Sequence, residues 1–418
     1  KIAPRIGEHA GAIAKLCGYL PLALRLAASA LVERPDLNVA DYVRRLTDAQ
    51  QRLKLIDASL SLSYELLTPE LQKRWRLLAV FPDTFDTAAA AAVWNAEPDT
   101  AKDALGEMFK YSLLEWSEAT ARYRLHDLAR LFANARLSEV ERNEGQRQHA
   151  SFYLNVLWEA NELYLRGGEA IKRGLVLFDL EWANTQAGQA WAEKHADEDD
   201  NVAAKFCSDY LDAGVYLLDL RQHPRERIRW LEVALTAARK LKDRAAEGMH
   251  LGNLGLVYAE LGEVRRAIEF YEQRLAIARE IGDRRGEGTA TGNLGSVYAD
   301  LGETRRAIEF YEQQLTIVRE IGDRRTEGVT LGDLGSVYAE LGEVRRAIEF
   351  YERALSIMRE IGDRRNESNA LYNMSLSLDV LGERVEAIAH AEAALNIYEQ
   401  IESPIAARVR ETLIKWRG

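Results

Sequence analysis

The apolar positions of the C-terminal half of the chain recur with two nested periods. Within a segment they fall three and four residues apart, as on one face of a helix: Leu251, Leu254 and Tyr258, then Ile268, Tyr271, Leu275 and Ala278. The whole pattern then returns every forty residues. Leu-Gly-Glu recurs around Gly262, Gly302, Gly342 and Gly382, and five residues after each glycine stands Ala267, Ala307, Ala347 or Ala387, followed by an isoleucine. Residues 248–287 and 288–327 are identical at thirty of forty positions. Two helical faces repeated at a fixed interval predict helical hairpins stacked into an α-solenoid, since one hairpin alone cannot bury its apolar face. Gly262 and its equivalents fall between the two helices, where a residue tolerating positive φ ends the first. Gly255, Gly295 and Gly335 fall inside the first helix, at a cost of about 1 kcal/mol each against alanine, which implies a closely packed neighbour.

The same phase extends in both directions. Ile228, Leu231, Leu235 and Ala238 match the second helix forty residues later, with Arg227 in place of the turn alanine, as in a degenerate first unit. Residues 403–418, opened by Ser403-Pro404 and carrying Leu413 and Trp416, read as a terminal helix covering the last hairpin. In the N-terminal half, residues 8–32 read as a helix pair broken at Gly18-Tyr19-Leu20-Pro21, with the proline restarting the helix. Thr68-Pro69 starts a helix through Trp75 and Leu78, Asp86 starts another through Ala92 and Val93, and Leu105 to Tyr111 follows as a third. Residues 113–116 and 122–125 flank a short polar turn and pair as a hairpin. Helices followed by a two-stranded wing describe a winged helix. The expected organisation is mainly α: a helical segment (1–50), a winged-helix domain (51–137), a helical connector (138–200) and a repeat array with a capping helix (201–418).

The run Asn253-Leu254-Gly255-Leu256-Val257-Tyr258, with Gly262, Ala267 and Tyr271, resembles the tetratricopeptide signature, and Ile281-Gly282-Asp283-Arg284-Arg285 lengthens the unit beyond the usual length of about 34 residues. This longer form is similar to the arrays of kinesin light chains and of spindle-orientation adaptors. That resemblance implies a protein or peptide ligand, held extended in a concave groove formed by the first helices. The expected small residue late in the second helix is replaced by Arg274 and Gln314 and returns as Ala354, while the final unit carries Met374, Ser375 and Leu378. Opposite Leu254 and Tyr258, the groove face holds Asn253, Asn293, Asp333 and Asn373 at one level and Glu260, Asp300 and Glu340 two turns on. Asparagine offers both a donor and an acceptor to an extended backbone, and the acids favour a basic partner. Two readings stand for this face: a ligand groove, or polar residues that meet solvent and steady the turns.

Gly18-Tyr19-Leu20-Pro21-Leu22-Ala23-Leu24, a winged helix beginning near Ser61-Leu62-Ser63-Tyr64, and then Leu125-His126-Asp127-Leu128-Ala129-Arg130 together resemble the regulatory half of bacterial STAND ATPases of the NB-ARC type. The resemblance covers residues 1–136. It implies that Pro21 touches the adenine and His126 the β-phosphate of a nucleotide held closed in the ADP state. No G-x-x-x-x-G-K-[ST] loop occurs in these 418 residues, and without its backbone cradle and lysine a triphosphate is not bound as that family binds it. The chain is therefore expected to carry no cofactor and to hydrolyse no ATP. ADP or ATP would bind only with a P-loop ATPase domain upstream of Lys1. Read from the residues alone, Pro21 restarts a helix and His126 caps or packs locally.

Composition narrows the class further. With 47% apolar and 29% charged residues the chain has the balance of folded protein, and no apolar run approaches the about 20 residues of a membrane span. The opening Lys-Ile-Ala-Pro-Arg lacks a secretory signal and an initiating Met and reads as a cut end. Cys17 and Cys207 are too far apart and too few for a disulfide framework; they read as core thiols in a reducing cytoplasm. A net charge of −11 disfavours nucleic acid, and Arg265-Arg266, Arg305-Arg306 and Arg345-Arg346 read as solvated helix starts near partners such as Glu269. The seven histidines form no H-x-x-x-H and no nucleophile turn is present, which predicts neither a metal site nor catalysis. Asp197-Glu198-Asp199-Asp200 reads as a solvated loop. The sum is a sensor and autoinhibitory module, monomeric when isolated. A winged-helix transcription regulator and a plain interaction scaffold are the alternatives.

Overall fold

The computed structural model describes residues 6–17, 19–52, 55–196 and 201–417, so Gly18 and the acidic run 197–200 lie outside the described residues. The chain divides into two compact units, Lys1–Gln222 and His223–Gly418.

In the first unit, α1 (Ala10–Leu16) and α2 (Pro21–Glu33) form the expected pair, with Pro21 at the first helical position after an extended Leu20. The two faces of α2 serve different cores. Ala23, Ala27, Ala30 and Leu31 pack with residues of α1, α3 (Val39–Arg52) and α4 (Leu55–Glu65), while Leu22 and Leu26 enter a larger core. That larger core is built by α5 (Pro69–Leu77), α6 (Thr87–Trp94), α7 (Pro98–Lys110), β1 (Glu115–Ser117), β2 (Arg122–Arg124) and α8 (Asp127–Asn134). Thr68 and Asp86 start their helices as expected, each side chain accepting from a backbone N–H three residues on. The strands pair antiparallel with Trp116 opposite Tyr123, and Tyr123 also bridges to Phe85, fastening the wing to the chain that enters α6.

Two long helices follow, α9 (Glu139–Leu165) and α10 (Glu169–His195), turned by Gly167 and Gly168 at positive φ. A capping box of Ser138 and Glu141 opens α9. Then come α11 (Asn201–Ala213) and α12 (Val215–Arg221). A buried ion pair joins the wing to α10: Arg122 donates to both carboxylate oxygens of Glu181 at 2.6 and 2.8 Å and to the Thr84 carbonyl at 2.8 Å. Asn184 donates to the same carbonyl and to the same carboxylate, each at 3.0 Å. Removing one partner of such a pair strands the other charge in the interior. Glu181→Ala should therefore destabilise this unit by about 3–5 kcal/mol in urea unfolding, whereas a loss below about 1 kcal/mol would mean that water reaches Arg122.

The second unit opens with α13 (Pro224–Leu241) and continues in four hairpins: α14 (Arg244–Glu260) with α15 (Val264–Ile281), α16 (Arg284–Asp300) with α17 (Thr304–Glu320), α18 (Arg324–Glu340) with α19 (Val344–Ile361), and α20 (Arg364–Val380) with α21 (Arg384–Gln400). The terminal helix α22 (Ile405–Arg417) packs on α21 and buries Ala406, Val409 and Leu413. Gly262, Gly302, Gly342 and Gly382 turn the hairpins at φ of 75°, 71°, 84° and 81°. Inside the first helices, the rings of Tyr271, Tyr311 and Tyr351 lie 2.5, 2.7 and 2.6 Å from where a Cβ on Gly255, Gly295 and Gly335 would stand. The last hairpin exchanges the two sizes, with Ser375 in place of the glycine and Ala391 in place of the tyrosine, both buried. The first helices also touch one another in series, more closely than the second helices do, so they line the inner side of the array.

Successive hairpins are joined by charge. Glu247, Glu287, Glu327 and Glu367, each buried in the first turn of a first helix, accept from Arg239, Arg279, Arg319 and Arg359 of the preceding helix at 2.8, 2.8, 2.8 and 3.0 Å. They also accept from Arg244, Arg284, Arg324 and Arg364 of their own helices. Three of these second arginines reach on to Glu280, Glu320 and Glu360, and Arg364 reaches Gln400. Burial works against ionisation of Glu247, Glu287 and Glu327, but the bonds from the two arginines outweigh it and hold these carboxyls below their ordinary range. Because the folded values are depressed, the stabilisation is present above the unfolded glutamate pKa of about 4.3 and is lost as pH falls through the lower folded value. Acid titration followed by circular dichroism should therefore show the array loosening only below about pH 4. Glu327→Gln should cost about 1.5–3 kcal/mol at pH 7, and an unchanged urea midpoint would show that the arginines are satisfied by water.

Candidate ligand groove

Each ladder residue is carried midway along a first helix whose neighbours Leu254, Leu294, Leu334 and Met374 are buried in the hairpin core. That packing turns Asn253, Asn293, Asp333 and Asn373 to the inner side, where all four are half-buried. Glu260, Asp300 and Glu340 are exposed, and Glu260 forms an ion pair at 3.8 Å with Arg227, the residue standing in for the turn alanine. In the fourth hairpin the equivalent of Glu260 is Val380.

The levels of the ladder differ in what covers them. Over Gly252 lies the guanidinium of Arg274, and over Gly292 the carboxamide of Gln314, each occupying the place a Cβ would take. At Gly332 the covering residue is Ala354, and among the described residues nothing lies within 4 Å of a Cβ position there. The space opens into a cleft of about 320 Å³ whose walls include Asp333, Ala354, Met358 and Asn373, together with Arg408 of α22. The cleft thus brings together two of the four ladder residues, Asp333 and Asn373, and not Asn253 or Asn293. Burial pushes the Asp333 carboxyl up to about 6. The repeat pattern marked Arg274 and Gln314 as departures and Ala354 as the return of the expected small residue; that these positions decide whether a cavity exists requires the three-dimensional arrangement.

The arginine pairs at the starts of the second helices differ from expectation in their partners. Arg266, Arg306 and Arg346 bond backward to Glu263, Glu303 and Glu343 at 3.1, 3.2 and 3.4 Å, rather than forward to residues such as Glu269. Helical side chains lean toward the N-terminus, which carries these guanidiniums over the turn. There they lie 5.2, 5.2 and 4.1 Å from the rings of Tyr258, Tyr298 and Tyr338, which stack in turn on Phe270, Phe310 and Phe350.

In the first unit, Pro21 is exposed at the start of α2. His126 is half-buried and caps α8, its Nδ1 accepting from the Leu128 N–H at 3.2 Å. Arg130 of the same motif donates to the Pro82 carbonyl at 2.5 Å and pairs with Asp127 at 2.6 Å. Cys17 and Cys207 are buried and form no disulfide, and burial raises the pKa of Cys17. Among the described residues, no group of three or more His, Cys, Asp or Glu is arranged to hold a metal ion, and no helix is long and apolar enough to cross a membrane.

The second unit is defined by its fold as an α-solenoid of tetratricopeptide hairpins, the class built for holding other proteins. Residues 251–285, 286–360 and 326–400 match the family described as tetratricopeptide repeat. Parts of the chain are similar to the regulatory protein AfsR of Streptomyces coelicolor, at 39% identity over 136 residues (30% of this chain, 14% of that protein). They are also similar to the regulatory protein AfsR of Streptomyces griseus, at 37% identity over 169 residues (36% and 17%). The matched segments thus span less than a fifth of these relatives. Among solved structures, the chain is similar to a STAND protein with a tetratricopeptide repeat sensor from Pyrococcus horikoshii, at 16% identity and a TM-score of 0.47, covering 95% of this chain and 69% of that one.

Asp333 provides a test of the electrostatics of the groove. Its folded pKa lies above the unfolded value, so ionisation at pH 7 opposes folding, and the penalty is relieved as pH falls through 6 and is gone below about 4. Asp333→Asn, which supplies the residue found at the other three levels, should stabilise the protein by roughly 1–2 kcal/mol at pH 7, allowing for partial solvation. The gain should vanish near pH 4, as read from urea midpoints at the two pH values.

Proposed function

We propose that the chain is the sensing and autoinhibitory part of a signal-transducing STAND-type ATPase, whose repeat array binds an extended protein or peptide segment along its inner face. The observation that carries this reading is the ladder itself: four side chains at one position of four successive hairpins, half-buried on the inner helices. A carboxamide held that way can donate to and accept from a ligand backbone without reading its side chains. The tetratricopeptide match of residues 251–400 supports an interaction role, and the partial likeness to two regulatory proteins supports a regulatory one.

In this reading residues 1–50, 51–137, 138–200 and 201–418 are the working domains. The N-terminal ones pass the binding event to a P-loop domain upstream, which performs the hydrolysis. Pro21 and His126 meet a nucleotide only when that domain is present, and the chain alone performs no catalysis. Binding of a segment along the ladder favours one arrangement of the array, and the energy available for switching is the difference in its affinity for the two states.

Each asparagine contributes one or two hydrogen bonds of about 0.5–1.5 kcal/mol net, so single changes should be mild. Replacing Asn253, Asn293 and Asn373 together by Ala should weaken a captured partner by about tenfold or more. The partner, recovered by affinity from lysate and purified, is titrated against wild type and triple variant, with circular dichroism as the folding control. Equal affinity in a folded triple variant would move the binding surface off the inner helices.

A further inference from the structure

We infer that the cleft over Gly332 is a receptor for one cationic side chain of the bound segment, with arginine as the best fit. This deepens the proposed function and rests on it. In the first hairpin the corresponding space is filled from within, because Arg274 lays its half-buried guanidinium over Gly252. Forty residues on, Gln314 fills it with a neutral group; another forty on, Ala354 leaves it open. At that same level, and at no other of the four, the ladder residue is a carboxylate rather than a carboxamide. This hairpin therefore has a small residue where the first carries a cation and an anion where the other three carry an amide, and both positions line one cleft of about 320 Å³.

An arginine from outside is complementary to what remains. Its aliphatic stem lies along Ala354 and Met358, its guanidinium faces Asp333, and the Asn373 carboxamide can accept a further N–H. Charge-assisted bonds to a half-buried carboxylate are stronger than the neutral bonds available elsewhere on the ladder, so this level sets the register of an otherwise uniform groove. Arg408, an exposed residue of the same lining, opposes a second cation beside the first. The favoured segment has a single arginine flanked by neutral or acidic residues, not a basic run.

The test uses the full chain and three blocked tripeptides: acetyl-Ala-Arg-Ala-amide, its citrulline counterpart of nearly equal shape without charge, and its norleucine counterpart. Binding is measured by ligand-observed NMR at pH 7.5 on wild type, Asp333→Asn and Ala354→Arg. The arginine peptide is expected to bind wild type at least about tenfold more tightly than the other two. Asp333→Asn should bring it down to the citrulline level, and Ala354→Arg should block it by refilling the cleft as Arg274 fills the first hairpin. Equal binding of arginine and citrulline peptides to wild type, or an arginine preference that survives Asp333→Asn, overturns the inference. Asp333→Asn is close to isosteric, so the outcome holds even if Ala354→Arg does not fold. A captured partner that depends on Asn253 and Asn293 but is indifferent to Asp333→Asn would overturn this inference alone. Arginine selectivity at the cleft with no partner on the ladder would overturn the groove reading alone.

Discussion

A carboxylate placed inside a protein is costly unless other groups replace the water it gives up, and the junction at the start of each hairpin contains one, at Glu247, Glu287, Glu327 or Glu367. Two guanidiniums replace that water at each junction, and they come from different helices. One comes from the end of the preceding helix and the other from the start of the glutamate's own helix, and the second reaches on to the far end of the same hairpin. A planar guanidinium fixes both direction and distance to a carboxylate, as an apolar contact does not. The clamp therefore sets how one hairpin is rotated on the next. Everything on the inner side, including the spacing of the ladder residues, inherits that rotation.

Within a hairpin the constraint is steric instead. Tyr271, Tyr311 and Tyr351 press on glycine backbones, while the last hairpin carries buried Ser375 and Ala391 at the two positions. The helix-interior glycine is unfavourable as a helix former, but it admits an aromatic ring where a Cβ would collide, and the buried ring area outweighs the lost propensity. The two devices divide the work: ring against glycine fixes the hairpin, and arginine against glutamate fixes the stack. Neither occupies the middle of the first helices' inner face, which is left for polar side chains.

What sequence alone discloses follows from the distance over which each feature acts. The hairpins, the positive-φ turns, the caps at Thr68 and Asp86 and the proline start of α2 are local, and all are legible in the pattern. The clamp is nearly local, since Arg279, Arg284 and Glu287 lie within nine residues, yet these charges look like any solvated helix end until the fold buries the glutamate. Arg122 and Glu181 are fifty-nine residues apart on different elements, and nothing in either neighbourhood announces the pair. The partners of Arg266 and its equivalents escape the pattern for a related reason: spacing allows both Glu263 and Glu269, and side-chain direction decides for Glu263.

The cleft shows how far a repeat sequence can be read against itself. Where units are nearly identical, most positions are explained once for all copies, by packing, turning or clamping. A groove made of identical levels offers an extended ligand the same bonds at every register and so cannot choose among registers. Specificity has to reside where the copies differ on the inner face. Two such differences, Arg274 to Gln314 to Ala354 and asparagine to Asp333, could have fallen on different hairpins or on opposite sides of one. They meet instead at one hairpin and line the same cavity, and the open space and the added charge point to a single ligand chemistry.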